Sequence, residues 1–369
     1  MYVHERPNWP ACFYDPGELI DVVARASYLQ GELESAMRML GFKEYEATVL
    51  QTLTADVVKS SEIEGELLNS EQVRSSIARR LGFSTAGLVA SSRNVDAVVE
   101  MALDANRHCS EPLTHERLWG WQAALFPTGY SGMHKVDVGK YRTGEMQVVS
   151  GAMGHERVHY VAPPAERVKH EMDQFLEWFN SDEARSISPI ICAAHAHWWF
   201  IMIHPFDDGN GRIARALSDM ALSRAFADEK RQTARPYSLS AQMLQEKKRY
   251  YEILERDGLG EGNLTEWYVW FANCLCHAIE AATGIVQSAV DKARFWSKYG
   301  DAPLNERQRK ILNRLFDGFE GKLNTSKWAK ICHCSQDTAL NDIKALIGMG
   351  VLESTGEGGR STNYRLAAF

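Results

Sequence analysis

The chain lacks most of what would mark it as secreted, membrane-embedded or coating a nucleic acid. Cysteine is scarce: seven in 369 residues, an odd number, with no paired spacing of a disulfide framework. That argues against a stapled extracellular scaffold and fits a reducing cytoplasm. No basic-then-apolar leader opens the sequence, where His4, Glu5 and Arg6 precede Pro7. Neither sign of charge is in excess. Lys and Arg number 41 against 48 Asp and Glu, and a net charge of −7 gives no general pull toward nucleic acid or lipid. Long uncharged runs are missing with one exception. Residues 186–206 have no Lys, Arg, Asp or Glu over about the length a bilayer needs. They hold His195, His197, His204, Pro189 and Pro205, however, and run into polar residues, so a buried core helix is expected and no membrane. Metal-binding pairs are absent too. Cys332-His333-Cys334 and Cys274-x-Cys276-His277 have no second ligand pair, and His195 and His197 in Cys192-x-x-His195-x-His197 face different ways on a helix. No Cys–His or Ser–His–Asp nucleophile stands out.

What is present is ordinary bulk and one unusual stretch. Hydrophobic residues make up 45% and charged ones 24%, as in a soluble globular protein with room for two or three domains. The chain is organised around residues 190–224. Ser188 and Pro189 offer a cap and a first turn. Ile190, Ile191, Ala193, Ala194, Trp198, Trp199, Phe200, Ile201 and Ile203 are apolar nearly all round, which predicts a buried helix. Pro205 interrupts it after His204. Gly209 and Gly211 can take positive φ in the turn that follows. A second helix is predicted from near Gly211, with an apolar stripe of Ile213, Leu217, Met220 and Ala221. Arg212 and Arg215, three apart, share another face.

The chemistry of that stretch converges. Backbone N–H groups at a helix N-terminus form a ready anion site. Two guanidiniums suit phosphate oxygens. Asp208 is a hard oxygen ligand of the kind Mg2+ uses beside substrate phosphates. His204 is a candidate base at the mouth. Together these point to phosphoryl or nucleotidyl transfer.

The stretch His204-Pro205-Phe206-Asp207-Asp208-Gly209-Asn210-Gly211-Arg212-Ile213-Ala214-Arg215 resembles the Fic family signature, His-Pro-Phe-x-Asp/Glu-Gly-Asn-Gly-Arg-x-x-Arg, at every fixed position. The resemblance implies a mainly α, Fic-fold helical bundle that transfers AMP from ATP to a hydroxyl side chain of a target protein. It implies His204 as the catalytic base and Asp208 as the Mg2+ ligand. Phe206, Asp207, Gly209, Asn210 and Gly211 would form the nucleotide-binding loop, and Arg212 and Arg215 would bind the β/γ end of the triphosphate. His197 matches a histidine common in the family seven residues before the catalytic one, which implies an orienting hydrogen bond.

Upstream, residues 1–18 are rich in Pro and aromatics and are expected to pack as extended chain; Trp9-Pro10 resembles a short module found ahead of Fic domains. Helical patterns occupy 19–40 and 44–60, and Gly65 reads as a stop. Glu64 in a last turn faces the unfavourable end of the macrodipole and needs a cation or water. Ser60-x-x-x-Glu64-Gly65 resembles the family's inhibitory-helix motif. That implies Glu64 pairs with Arg215, where a carboxylate takes the place of an anionic phosphate. Ser60, Glu64 and Gly65 are therefore the inhibitory candidates, on a helix over about 46–65.

Further helices are predicted over 70–81, 91–108, 114–126, 165–180, 239–256, 264–288 and 290–299, with 130–141 loop-like. Met146, Val148 and Val149, then Val158, Tyr160 and Val161, flank a glycine-containing turn at 150–154, a hairpin signal. It resembles the flap that covers the nucleotide in Fic proteins. A linker is expected at 300–303. Beyond it, helix, helix, turn, helix and hairpin resemble a winged helix-turn-helix. That module has ten Lys/Arg against seven Asp/Glu, a charge of +3 that leaves −10 for the rest. Gln336, Thr338, Asn341 and Lys344 could read bases and Arg360 could enter a minor groove, while Asp337 and Asp342 would oppose phosphates.

The expected organisation is an N-terminal helical region at 1–108, a Fic catalytic domain at 109–300 and a winged helix-turn-helix domain at 304–369. The expected function is autoinhibited adenylylation of a target protein, or of the chain itself, with Mg-ATP. Two other readings follow from the same residues. One is a DNA-binding regulator whose Fic domain senses nucleotide; the other is a hydrolase that removes AMP with Glu64 activating water. Expected partners are ATP, an unknown target protein, DNA at the C-terminal module and a second copy in a homodimer.

Overall fold

The computed structural model describes residues 1–83, 89–150, 157–224, 235–316, 319, 321–355 and 362–368. Within them the chain is mainly α. Five helices come first: α1 (Pro16–Arg38), α2 (Phe42–Ile63), α3 (Ser70–Leu81), α4 (Arg93–Arg107) and α5 (His115–Leu125). Four short strands follow, β1 (Tyr130–Ser131), β2 (His134–Lys135), β3 (Gln147–Ser150) and β4 (Arg157–Val161). Then come α6 (Ala165–Asn180), α7 (Asp182–Ser186), α8 (Pro189–Ile203), α9 (Asn210–Ser223), α10 (Leu239–Gln245), α11 (Lys247–Gly258) and α12 (Thr265–Tyr299). The chain closes with α13 (Glu306–Phe316), α14 (Thr325–Cys332), α15 (Gln336–Gly348), β5 (Leu352–Ser354) and β6 (Tyr364–Leu366).

These elements form two compact units, residues 1–34 with 46–282, and residues 35–45 with 283–369. The N-terminal helices and the motif share the first unit. Residues 300–303 make a turn after α12, and the unit boundary falls inside that helix.

In the first unit α8 is the central rod. Its residues Ile190, Cys192, Ala193, Ala194, Ala196, Trp198, Phe200 and Ile203 are all buried. Ser188 makes no side-chain cap; its carbonyl takes the Cys192 N–H at 2.9 Å, and Pro189 occupies the first turn where its missing N–H costs nothing. α9 packs along α8, and its predicted stripe of Ile213, Leu217, Met220 and Ala221 is buried. His197 on α8 uses one ring nitrogen on Ser218 of α9 (3.0 Å) and the other on Tyr250 of α11 (2.8 Å), tying three helices in the core. α12 is long and apolar enough to cross a membrane by length and composition, but Trp267, Phe271, Leu275 and Ile279 are buried against protein. The N-terminal residues pack rather than dangle. Trp9 Nε1 donates to Glu171 at 2.7 Å, and His4 meets the Val161 carbonyl at 2.9 Å.

β3 and β4 form the expected antiparallel hairpin, Gln147 opposite Val161 and Ser150 opposite Arg157, with a bulge between Val148 and Val149. Its tip at 151–156 lies outside the described residues. Tyr160 pins the hairpin to α8 by donating to the Met202 carbonyl at 2.7 Å. The loop-like reading of 130–141 missed β1 and β2, which pair Tyr130 with Lys135 and Ser131 with His134. Strands of two residues carry no alternation to read.

In the second unit Ile311, Leu312, Trp328, Ala339, Ile343, Leu346, Val351 and Leu352 make one core. Asn324 and Ser335 cap α14 and α15 through the N–H groups of Lys327 and Thr338. β5 and β6 pair antiparallel, and Leu323 bridges to Tyr364. Asp342 does not face outward as expected. It is buried, bonded by Arg307 at 2.7 and 3.0 Å and by Asn305 at 2.8 Å. Arg360 and the turn at 356–361 lie outside the described residues.

Candidate active site

The loop from His204 to Gly211 is closed by its own side chains. Asn210 accepts the Phe206 N–H through Oδ1 (3.0 Å) and donates Nδ2 to the Phe206 carbonyl (2.8 Å). Phe206 is buried between Tyr141 and Phe200. Asp207 Oδ2 accepts the N–H of Asp137 at 2.9 Å. The side chains of these three shape the loop. Gly209 has φ +89°, where its predicted freedom is needed. Gly211 does not have positive φ. It lies in α9, and a Cβ there would collide with Glu64 Oε1.

His204 ends α8 in a left-handed conformation, φ +49°. Arg142 holds it there. Its guanidinium, itself buried, donates Nε to the His204 carbonyl (2.8 Å), Nη1 to Gly144 (2.8 Å) and Nη2 to Pro163 (2.5 Å). His204 Nδ1 lies 3.1 Å from the Ile201 carbonyl, which can only accept. The proton therefore sits on Nδ1 and the Nε2 lone pair is free. Burial lowers the His204 pKa to about 4, against opposing pulls from the Ile201 bond and from Glu64 and Asp208. The imidazole is neutral at pH 7 and can accept a proton.

Both motif arginines are buried, Arg212 with 6% of its surface exposed and Arg215 with 2%. Each meets the turn that follows α2. Arg215 donates Nε to Ser60 Oγ (2.9 Å) and Nη2 to the Ser60 carbonyl (2.9 Å) and Glu64 Oε1 (2.8 Å). Gly65, at φ +83°, turns the chain, and Glu66 then bonds Arg212 Nη1 at 2.5 Å. Asn94 steadies Glu66 from α4 at 3.1 Å, and Arg212 stacks over Phe126. Arg212 Nε and Arg215 Nη1 are buried with no partner among the described residues. Unsatisfied guanidinium donors beside a glycine backbone fit an anionic ligand. Asp208 offers a partly exposed carboxylate. No cluster of three His, Cys, Asp or Glu among the described residues could hold a metal alone. A single carboxylate suits Mg2+, which takes its remaining ligands from water and phosphate.

Sequence reasoning missed Glu66, Arg142 and the anchors of α2. Lys247 Nζ donates to the Ile63 carbonyl at 2.6 Å, a cation on the negative end of α2. Asp56 accepts Ser238 Oγ (2.7 Å) and the Ser240 N–H (3.1 Å). Glu66 had a readable hint, a second acid beside the Glu64-Gly65 stop, but its direction depends on the turn. Arg142 lies outside the hairpin pattern and has no sequence signal of its own.

Residues 112–222 match the Fic/DOC family, and residues 2–83 match a domain of unknown function, DUF4172. The chain is similar to a protein adenylyltransferase Fic of Nematostella vectensis, 28% identical over 148 residues, 40% of this chain and 30% of that one. It is similar to protein adenylyltransferase fic-1 of Caenorhabditis elegans, 34% identical over 90 residues, 24% of this chain and 16% of that one. The matched segments thus span less than a third of either relative's length. In fold it is similar to a Fic family protein from Desulfovibrio desulfuricans G20 (TM-score 0.57, 19% identity), over 98% of this chain and 99% of that one. A Fic domain containing signaling protein from Bacteroides thetaiotaomicron VPI-5482 (TM-score 0.54, 22% identity) aligns over 72% and 97%. The signature loop between α8 and α9 lies inside the matched segment, so residues 112–222 form a Fic/DOC-type domain, and the chain shares its fold with solved Fic family proteins along nearly its whole length.

Proposed function

We propose that the chain is a protein adenylyltransferase held closed by the turn after α2. The target's Ser, Thr or Tyr hydroxyl gives its proton to His204 Nε2, and its oxygen attacks the α-phosphorus of ATP. The α–β phosphoanhydride bond breaks and pyrophosphate leaves. Arg212 and Arg215, once free of carboxylates, hold the β/γ phosphates, and the Gly209–Gly211 backbone lines the cradle. Asp208 would hold Mg2+, which would supply positive charge to offset that of the phosphates. The relatives named for adenylyl transfer support the reaction. The observation that carries the closed state is the place of the Glu64 carboxylate, on Arg215 and against Gly211. It stands where a phosphate would approach.

The test is incubation of the full chain with ATP radiolabelled at the α-phosphate, with and without cell lysate, followed by intact-mass analysis. Glu64→Gly should raise labelling, and His204→Ala should abolish it in the Glu64→Gly background. Equal or lower labelling in Glu64→Gly would remove Glu64 from the gate. Release of AMP from a labelled target would favour the hydrolase.

A second reading concerns residues 304–369. We infer that this module is a winged helix-turn-helix and that α15 contacts a nucleic acid. The inward turn of Asp342 supports it, because one negative charge is thereby taken off the face carrying Gln336, Asn341 and Lys344.

A further inference from the structure

Asp208 is held from two sides. Its Oδ1 accepts the N–H of Gly209 at 2.5 Å, and its Oδ2 accepts the hydroxyl of Ser131. The first donor belongs to the motif. The second comes from β1, far upstream, in the segment whose sequence carries no periodic signal.

That segment is braced. The Val136 N–H closes the β1–β2 hairpin onto the Gly129 carbonyl at 3.0 Å. The Asp137 N–H is bound by Asp207 at 2.9 Å. Gln122 on α5 donates Nε2 to the Asp137 carbonyl (3.1 Å) and accepts the Gly139 N–H through Oε1 (2.7 Å). The Ser131 hydroxyl is thus delivered from a fixed frame. A carboxylate with one donor can rotate about its last bond; one donor on each oxygen sets its plane. Each oxygen still has a lone pair for a cation.

We propose that Ser131 is a positioning residue that orients Asp208 toward the divalent cation of the transfer site. The proposal rests on the reading of Asp208 as the cation ligand. It makes the β1–β2 hairpin part of the site, although no residue of it belongs to the signature.

The probe is Mn2+, titrated by electron paramagnetic resonance into the full chain carrying Glu64→Gly, at saturating ATP. Ser131→Ala should raise the Mn2+ dissociation constant about tenfold or more, and Ser131→Thr should restore it to within about threefold. ATP affinity measured in EDTA should be the same in all three, because Ser131 bonds Asp208 and neither arginine. Equal Mn2+ affinity in the parent and Ser131→Ala overturns the proposal. So does a loss that Ser131→Thr fails to restore, which would mark a packing defect. A parent that binds ATP but no Mn2+ removes the cation role of Asp208 and this proposal with it. A parent that binds neither overturns the nucleotide reading as well.

Discussion

Glu64 and Glu66 stand two residues apart around Gly65, and each carboxylate takes a different arginine of the motif. The two clamps are not equal. Glu64 works beside Ser60, which bonds the same guanidinium twice, and its carboxylate lies against Gly211. Glu66 is a simpler pair, its side chain 33% exposed and Asn94 behind it. A part-exposed ion pair contributes about 1 kcal/mol, and that energy is about a fivefold change in an equilibrium. Glu66→Gln in the Glu64→Gly background should therefore tighten ATP binding by about fivefold, read by calorimetric titration. Glu66→Gln alone should change little, because Glu64 still lies on Arg215 and against Gly211. A double variant no tighter than Glu64→Gly would show that Arg212 is already available. The signature residues were legible because their order is itself the signal. Glu66 and Ser131 were not: each acts across the fold, and only the paths of the turn and the hairpin bring it to its partner.

Helices with strong periodicity could be placed from sequence, and those with hidden breaks could not. The segment 239–256, expected as one helix, is two, α10 and α11, parted at Glu246. No Gly or Pro marks that break. Glu246 instead meets His277 of α12 at 3.0 Å, a contact that is tertiary. The segments 264–288 and 290–299 fuse the other way into α12, since nothing at 289 stops a helix. In α15 the Ile343 and Leu346 stripe was readable, but the side taken by Asp342 was not, because Arg307 and Asn305 approach it from α13 and the residue before it. The exposed face of α15 then has Asp337 as its acid and Lys344 as its base. If α15 lies along a nucleic acid, Asp337→Asn should strengthen and Lys344→Glu weaken a gel shift of the full chain, with affinity falling as salt rises. A chain that shifts no duplex at low salt, or shifts it equally in both variants, would assign the module another use.

Across the whole molecule, two sets of buried groups pull stability in opposite directions as pH falls. Burial lowers His195 and His204 to about 4 and His197 well below its ordinary value, the last with Arg215 adding to the shift. His195 faces Tyr268 and Cys12, and His197 faces Ser218 and Tyr250, none of which supplies a negative charge at neutral pH. Unfolded, all three imidazoles take up protons below about 6.5. The unfolded chain then binds more protons than the folded one, and these groups destabilise the fold as pH drops from 6.5 toward 4. Asp257 acts oppositely. Burial raises its carboxyl to about 7, with Arg256 opposing, and its Oδ2 has no partner among the described residues. Asp219, buried beside Asp56 and Arg235, is also raised, first by burial. Folded, Asp257 takes up its proton near pH 7, where an unfolded aspartate, with an ordinary value near 3.8, is still ionised, so it stabilises the fold as pH drops. The lowered imidazoles, His4 together with His195, His197 and His204, outnumber Asp257, so the balance is a loss of stability as pH falls below about 6.5, a positive slope of stability against pH. Urea unfolding between pH 6 and pH 5 should show that slope. Asp257→Asn keeps the shape and removes the titration, so the histidines stand less opposed and the slope should steepen by about 1.4 kcal/mol per unit. His195→Gln should flatten it by a comparable amount. An Asp257→Asn slope equal to that of the unaltered chain would mean that Asp257 is ionised in the fold, and that a buried carboxylate there is balanced by Arg256.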